Sequence, residues 1–179
     1  IYYLAQISYC LIFKNFPVIE FLFFVFSYLL RPLAGAIATG LDLSFLLIFI
    51  IVIGSLILII EKRKAEIFIN IDLNYPTRKV LKAYSIPIMN RVLFFLYPNL
   101  CLIYMWWSFG LNQNSADPSI MVLTIPFVIS GLYRYKKLGE NKKEFLNKNI
   151  SLENPESVFY KDKYLRLLFV AWIVMVILI

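Results

Sequence analysis

Long apolar runs separated by charged connections dominate this chain. A helix that crosses a bilayer needs about 20 mostly apolar residues, with a range of about 17–25. Six runs meet or approach that length, and none contains more than two charged residues. The six runs are 1–13, 16–40, 43–60, 85–111, 118–133 and 164–179. They predict an all-α, polytopic bundle of about six transmembrane helices, in a single domain over residues 1–179.

Basic residues lie almost entirely on alternate connections between the predicted helices. Of the 18 Lys and Arg residues, 15 lie on the first, third and fifth connections, and none lies on the second or fourth. Arg166, at the start of the last run, joins the same side. Connections rich in Lys and Arg stay in the cytoplasm. The first, third and fifth connections, which are 13–17, 61–84 and 134–163, are therefore predicted to be cytoplasmic.

The composition agrees with a membrane protein. Apolar residues make up 61% of the chain and charged residues 16%, against about 45–50% and about 25% in soluble domains. The net charge of +7 favours an anionic membrane surface or a phosphorylated substrate over nucleic acid. The chain has no histidine, which excludes Ser-His-Asp triads and histidine-ligated metals from this segment. Cys10 and Cys101 are isolated within apolar runs, so they indicate neither a disulfide framework nor a zinc site.

The first candidate site follows the third apolar run. If the helix continues past Ile60, Lys62 and Glu66 lie on one face, and Arg63 and Glu66 are neighbours three residues apart. Cations held in place by an acid in this way are suited to bind phosphate. The alternative is an ordinary positive-inside anchor, in which each base contributes about 1 kcal/mol near an anionic leaflet.

Two further bases lie at predicted membrane boundaries. Lys14 lies at a tight cytoplasmic turn shortly after Tyr9, and Arg134 lies between Tyr133 and Tyr135. Each is suited to contact a phosphate. The alternative for each is an interfacial anchor, which for Arg134 would form part of an aromatic belt.

Two bases lie inside predicted helices. A charge at the bilayer centre is disfavoured by about 2.5–3.5 kcal/mol on insertion scales, so Arg31 is predicted to face the bundle interior and to have a polar partner. Glu20 lies three helical turns away and is too distant to be that partner. Arg91 lies nearer the cytoplasmic end of its helix, where a long side chain can reach the interface.

Five stretches of the chain carry recognisable short motifs. They are Ser8–Lys14, Leu30–Ala36, Lys62–Glu66 with its Lys-Arg-x-x-Glu pattern, Thr124–Tyr135, and Glu153-Asn154-Pro155-Glu156 with Asp162. In this order they resemble motifs of the UbiA superfamily of intramembrane prenyltransferases. Within that family the likeness is greatest to the decaprenyl-phosphate phosphoribosyltransferase branch, and it extends over nearly all 179 residues.

The resemblance implies a nine-span UbiA-type fold with catalytic loops on the cytoplasmic side. The six helices predicted here would then be the fourth to the ninth. The first three helices would precede Ile1, together with the acidic NDxxDxxxD-type motif with which the family binds Mg²⁺. No DxxxD cluster occurs in the present sequence, so no metal ligands are predicted within it.

The resemblance also distinguishes two branches of the family. Aromatic prenyltransferases carry a second acidic cluster where this chain has Lys62, Arg63 and Lys64. Acids suit a second Mg²⁺ on a prenyl diphosphate, whereas bases suit direct contact with the phosphates of phosphoribosyl diphosphate. Relatives commonly have a small residue in place of Glu61 and histidine in place of Asn15, so the exact substrate stays open.

The function implied by the resemblance is transfer of 5-phosphoribose from phosphoribosyl diphosphate to a polyprenyl (decaprenyl-type) phosphate. The expected location is the bacterial plasma membrane with a cytoplasmic active face, and the expected cofactor is Mg²⁺ bound mainly by upstream residues. Two alternatives stay open: UbiA-type transfer of a prenyl group to an aromatic acceptor, and a non-enzymatic membrane scaffold or transporter fragment. The expected substrate contacts are Lys14, Lys62, Arg63 and Arg134, with Glu66 orienting the bases.

Overall fold

The computed structural model describes residues 17–40, 42–73, 84–110, 121–140, 158 and 161–178. All regular structure within these ranges is helical, so the predicted all-α class is confirmed. The elements are α1 (Pro17–Thr39), α2 (Phe45–Leu73), α3 (Ile86–Ser108), a short 3-10 helix (Val122–Thr124), α4 (Ile125–Glu140) and α5 (Lys163–Leu178).

Three of these helices contain segments that are long and apolar enough to cross a membrane. The segments are Phe21–Thr39, Phe45–Phe68 and Ile86–Ser108, and they correspond to the second, third and fourth predicted runs. Helices α4 and α5 have 16 residues each and correspond to the fifth and sixth runs. The first predicted run lies outside the described residues, so the total of about six helices stays a prediction.

Helix α2 continues well past the apolar run that predicted it. The run ends at Ile60, whereas the helix ends at Leu73, because Glu, Lys, Arg and Ala in the following stretch are all strong helix formers. The predicted continuation of the helix through Lys62, Arg63 and Glu66 is therefore confirmed. The charged stretch therefore belongs to the same continuous helix as the apolar segment before it.

The helices pack around a core that draws on four of them. Helix α2 packs against α1 and α3, and α4 packs against α3 and α5. Many large apolar side chains, including Phe94, are nevertheless exposed, as expected where the surrounding solvent is lipid rather than water. Buried apolar side chains of the core include Ile57, Ile59, Leu93, Leu138 and Leu165.

Contacts between helix ends show that neighbouring helices are antiparallel. Near the end of α3, Trp107 donates from Nε1 to the Oγ of Ser44, which precedes α2, over 3.1 Å. Near the end of α4, Arg134 bonds to Asp162, which precedes α5. The basic residues of α2 and α4 consequently lie at one end of the bundle, as the charge pattern predicts.

A chain of hydrogen bonds closes the opposite end of the bundle. The Oγ1 of Thr124 donates to the backbone carbonyl of Met121 over 2.7 Å, so its single proton is used there. The hydroxyl of Tyr104, 2.8 Å away, must then donate to Thr124. Tyr104 in turn accepts from Trp172 Nε1 over 3.1 Å. The chain links α3, the 3-10 helix and α5 through groups that are largely buried.

Arg31 is not placed as the sequence predicts. Its side chain is exposed, and its guanidinium carbon lies 5.2 Å from the centre of the Tyr28 ring on the same helix. A ring face attracts a cation, so a local aromatic partner is available to it. Arg31 therefore does not face the interior of the bundle formed by the described residues.

Candidate functional site

The basic end of α2 carries a buried ion pair. Arg63 donates from Nη1 to Glu66 Oε2, and only 6% of Arg63 is exposed. The pairing predicted from their spacing of three residues is therefore confirmed. A buried guanidinium is stable when it is paired and hydrogen-bonded. Glu66 thus holds Arg63 in one orientation.

Lys62 lies at the same end of α2 and points towards α1. Its Nζ lies 6.0 Å from the centre of the Phe24 ring on α1, and its side chain is half-buried. A ring face attracts an ammonium group without neutralising its charge. Lys62 therefore lies at the basic end of the bundle, beside an aromatic ring of the neighbouring helix.

Glu61 and Lys64, which are adjacent in sequence to residues of the first site, form a second buried ion pair. Its structural role was not predicted from the sequence. Glu61 is 1% exposed and Lys64 is 4% exposed, and Lys64 Nζ lies 3.3 Å from Glu61 Oε2. The Tyr97 hydroxyl on α3 donates to Glu61 Oε1 over 3.2 Å. The spacing of three residues between Glu61 and Lys64 was the available sequence signal.

Arg134 is joined to the start of α5 through Asp162. Its Nη2 donates to Asp162 Oδ2 over 2.7 Å, and its guanidinium carbon lies 5.5 Å from the centre of the Tyr164 ring. The other carboxylate oxygen, Oδ1, accepts from the backbone N–H groups of Tyr164 and Leu165, each over 3.0 Å. Asp162 is therefore the N-cap of α5 as well as the partner of Arg134.

These bonds set the charge state of Asp162, which is only 2% exposed. Burial alone would raise the pKa of its carboxyl group. The hydrogen bond and positive charge of Arg134, with the backbone donors of Leu165 and Tyr164, outweigh burial and hold the pKa below its ordinary value of 3.8. Asp162 is therefore ionised at neutral pH.

The predicted site residues are partly brought together. Lys62, Arg63 and Glu66 share the end of α2, and Arg134 lies on α4 at the same end of the bundle. Lys14 lies outside the described residues, as do Glu153, Asn154 and Glu156. Their predicted contributions stay predictions.

An apolar pocket of about 260 Å³ lies between α2, α3, α4 and α5. Tyr135 lies in its wall and is buried, and its hydroxyl has no hydrogen-bond partner among the described residues. The sequence offered an interfacial aromatic belt around Arg134 only as an alternative, and no pattern in it predicts a buried position for Tyr135. The wall also includes Ile57, Leu100, Phe127, Leu168 and Trp172.

The described residues do not form a metal centre. No group of three or more carboxylate or thiol side chains comes together within the parts of the chain that the structure describes. Carboxylate oxygens are the protein ligands that Mg²⁺ prefers. Glu61 and Glu66 are each paired with a base on their own helix, and Asp162 is paired with Arg134.

Comparison with known proteins supports an enzyme family. No family model matches the chain. The chain is 28% identical to the decaprenyl-phosphate phosphoribosyltransferase of Corynebacterium glutamicum, over 99% of its own length and 52% of that protein. It is 30% identical to the protein of the same name from Mycobacterium tuberculosis, over 97% of its length and 54% of that protein.

This chain resembles the decaprenyl-phosphate phosphoribosyltransferases. A third protein of that name, from Mycolicibacterium smegmatis, is 27% identical over 97% of the chain and 54% of its own length. The resemblance predicted from the motifs is confirmed, and with the apolar helices it shows an integral membrane protein. The chain spans about half the length of these curated relatives.

Proposed function

We propose that this chain is part of a membrane transferase that moves 5-phosphoribose from phosphoribosyl diphosphate to a polyprenyl phosphate. The observation that carries the proposal is the Arg63–Glu66 pair beside Lys62, in a chain similar to transferases named for a decaprenyl-phosphate substrate. Both bases lie on a continuous helix at the end of the bundle where the other cations gather. Bases, rather than acids, suit direct contact with a phosphorylated substrate.

The proposed reaction is a substitution at the anomeric carbon of the ribose. An oxygen of the lipid phosphate forms a bond to that carbon while the bond to the diphosphate oxygen breaks. The products are polyprenylphosphoryl 5-phosphoribose, which keeps both the lipid phosphate and the ribose 5-phosphate, and diphosphate, which leaves with the electron pair of the broken bond. Lys62 and Arg63 stabilise the negative charge that develops on the leaving diphosphate, and fixed cations in a site shielded from water are effective in that role.

The remaining predicted contacts have supporting roles in the proposal. Glu66 orients Arg63, so Arg63 presents its donors without further reorganisation. Arg134, fixed by Asp162 and Tyr164, supplies a third cation at the same end of the bundle. Lys14 is proposed as a further phosphate contact on the strength of its motif alone.

The apolar pocket is proposed to hold part of the polyprenyl tail. Its volume of about 260 Å³ accommodates several isoprenoid carbons, which would make dispersion contacts with its apolar wall. The Tyr135 hydroxyl in the wall offers a hydrogen bond to a polar group of a bound ligand, because nothing described in the chain uses it.

Mg²⁺ remains part of the proposal as an ion bound mainly outside this segment. The described acids do not provide a Mg²⁺ site, because Glu61 and Glu66 are committed to ion pairs and Asp162 to Arg134 and a helix cap. When bound, such an ion would screen the charge of the diphosphate. The location at a bacterial plasma membrane, with the basic end of the bundle in the cytoplasm, is proposed on the charge pattern.

The test is a transfer assay on the complete gene product, including any sequence that precedes Ile1. Membranes containing it are incubated with Mg²⁺, polyprenyl phosphate and phosphoribosyl diphosphate labelled in the ribose. We expect label in the lipid extract, and loss of it in the Arg63→Ala variant. A parallel assay supplies a prenyl diphosphate and an aromatic acceptor. Product only in the second assay would favour a prenyltransferase, and product in neither would favour a non-enzymatic membrane protein.

A further inference from the structure

Glu61 lies beside the proposed phosphate contacts but faces away from them, towards α3 and α4. We propose that Glu61 and Gly139 form a matched pair that sets the rotation of the end of α2 and so positions Lys62 and Arg63. Glu61 is then a positioning residue that touches no substrate. The expected effect on phosphate binding rests on the proposed function. The contact between Glu61 and Gly139 does not depend on it.

The first observation is steric. A Cβ added at Gly139 would lie 2.4 Å from Glu61 Oε2 and 2.9 Å from Oε1. Contacts below 3.0 Å are essentially never seen for real Cβ atoms, so any other residue at 139 would displace the carboxylate. The carboxylate of Glu61 thus occupies the space that a side chain at position 139 would fill. A glutamate held in this position at 61 therefore requires a glycine at 139.

The second observation is electrostatic. Glu61 and Lys64 are both almost fully buried, and each is the ion-pair partner of the other. Removing one member of a buried pair leaves an uncompensated charge and is strongly destabilising. The Tyr97 hydroxyl fixes the carboxylate from α3, and the close approach at Gly139 fixes it from α4. Glu61 is therefore held from three helices.

The third observation is helical geometry. Successive residues of an α-helix are rotated by about 100°, so Glu61 and Lys64 lie on one side while Lys62 points elsewhere. Lys62 lies over Phe24 on α1, away from α3 and α4. Because the backbone of α2 is rigid over one turn, holding Glu61 and Lys64 fixes the direction of Lys62 and Arg63. It also keeps Lys64 in its pair with Glu61, so Lys62 and Arg63 are the two bases of this stretch that the proposal assigns to phosphate.

A cleft beside the pair makes the inference testable in a folded protein. It has a volume of about 260 Å³ and is lined by Glu61, Lys64, Tyr97 and Gly139, with Lys136 and Glu140 at its α4 side. A carboxylate displaced by a methyl group at 139 has this space to enter. The Gly139→Ala variant should therefore fold, with the Glu61 carboxylate moved away from Lys64 and Tyr97 and the end of α2 no longer held by them.

The experiment is a double-mutant cycle in the complete gene product, in buffer that contains Mg²⁺. The variants are Gly139→Ala, Glu61→Ala made together with Lys64→Met so that no buried charge is left unpaired, and the combination of both. The probe is inorganic diphosphate, whose Kd is measured by calorimetry. We expect Gly139→Ala alone to raise the Kd about fivefold, the size of an ordinary coupling between touching residues. In the background of Glu61→Ala with Lys64→Met the same change should leave the Kd within about twofold.

The control is Gly35→Ala on α1. An added Cβ there meets nothing within 4 Å, so the Kd should stay at the wild-type value. Thermal unfolding of every variant is recorded in parallel. A role in packing alone would lower the unfolding temperature of Gly139→Ala and leave its diphosphate affinity unchanged, and that result would overturn the inference. Equal effects of Gly139→Ala in both backgrounds would also overturn it.

Failure of the proposed function gives a different result. A wild-type protein that binds diphosphate but transfers no ribose label contradicts the proposed function, while the cycle still decides the inference. A wild-type protein that binds no diphosphate overturns the inference, because it has no phosphate contacts to position. The transfer assay then decides the proposed function independently.

Discussion

Arg134 and Asp162 join the end of α4 to the beginning of α5 through one hydrogen bond of 2.7 Å. The same carboxylate caps α5 with its other oxygen. One short acid thus connects the cation of a proposed phosphate contact to the backbone of the next helix. Losing Asp162 would therefore affect both the local stability of α5 and the position of Arg134.

The two roles of Asp162 can be separated by two substitutions. Asparagine caps a helix about as well as aspartate, whereas alanine does not, and the difference is about 1 kcal/mol. We expect Asp162→Ala to lower the unfolding free energy by about that amount more than Asp162→Asn. Thermal unfolding in detergent measures the difference. Equal unfolding temperatures for the two variants would show that the cap contributes nothing.

The charge of Asp162 predicts a pH dependence. Its pKa is held below the ordinary value of 3.8 by Arg134 and the backbone donors, so the folded state favours the ionised carboxylate. The stabilisation is therefore fully present above the ordinary pKa and is lost as pH falls through the lower folded value. We expect the gap in unfolding temperature between wild type and Asp162→Asn to be constant near neutral pH and to shrink below about pH 4. A gap that widens in acid would contradict this sign.

The Arg63–Glu66 pair predicts the effect of changing Arg63 on transfer. A hydrogen bond to a charged group contributes about 1.5–3 kcal/mol, so Arg63→Ala should lower kcat/KM by about 10- to 100-fold. Lysine lacks the planar fork of arginine, so Arg63→Lys should recover only part of the loss. The transfer assay measures both. Arg91→Ala is the matched control, because Arg91 is exposed at the same end of the bundle, and it should stay within about twofold of wild type.

The hydrogen-bond chain at the opposite end predicts a stability effect without a loss of function. Tyr104→Phe leaves the Nε1 of Trp172 without its acceptor and Thr124 without a donor, which should reduce the unfolding free energy by about 1–3 kcal/mol. Tyr133→Phe is the matched control, because Tyr133 is largely exposed, and it should change stability by less than about 0.5 kcal/mol. Similar unfolding temperatures for the two variants would contradict the proposed chain.

The charge pattern predicts the orientation in the membrane. In a variant without native cysteines, a cysteine at Lys142 should react with a membrane-impermeant maleimide only after the cells are opened. A cysteine at Asp42, on a connection that holds no base, should react in intact cells. Labelling of position 142 from outside the cell would reverse the topology and place the proposed site on the wrong face.

The sequence by itself determined the helical class, the positions of the apolar helices and the side of the bundle that carries the bases. These follow from local quantities: the length of an apolar run sets a span, and the Lys and Arg of each connection set its side. The Arg63–Glu66 pair was also predictable, because residues three apart on a helix are neighbours whatever surrounds them.

Only the tertiary structure decided which helices those residues meet. The close approach of Glu61 to Gly139 joins positions on α2 and α4 that are far apart in sequence, and no local pattern encodes their distance. The same holds for Tyr97 on Glu61 and for Asp162 on Arg134. Arg31, which was predicted to face the bundle interior, is exposed and lies over the Tyr28 ring of its own helix. The direction of a side chain and its partner depend on how the helices pack against one another. The local pattern of apolar and polar residues does not contain that information.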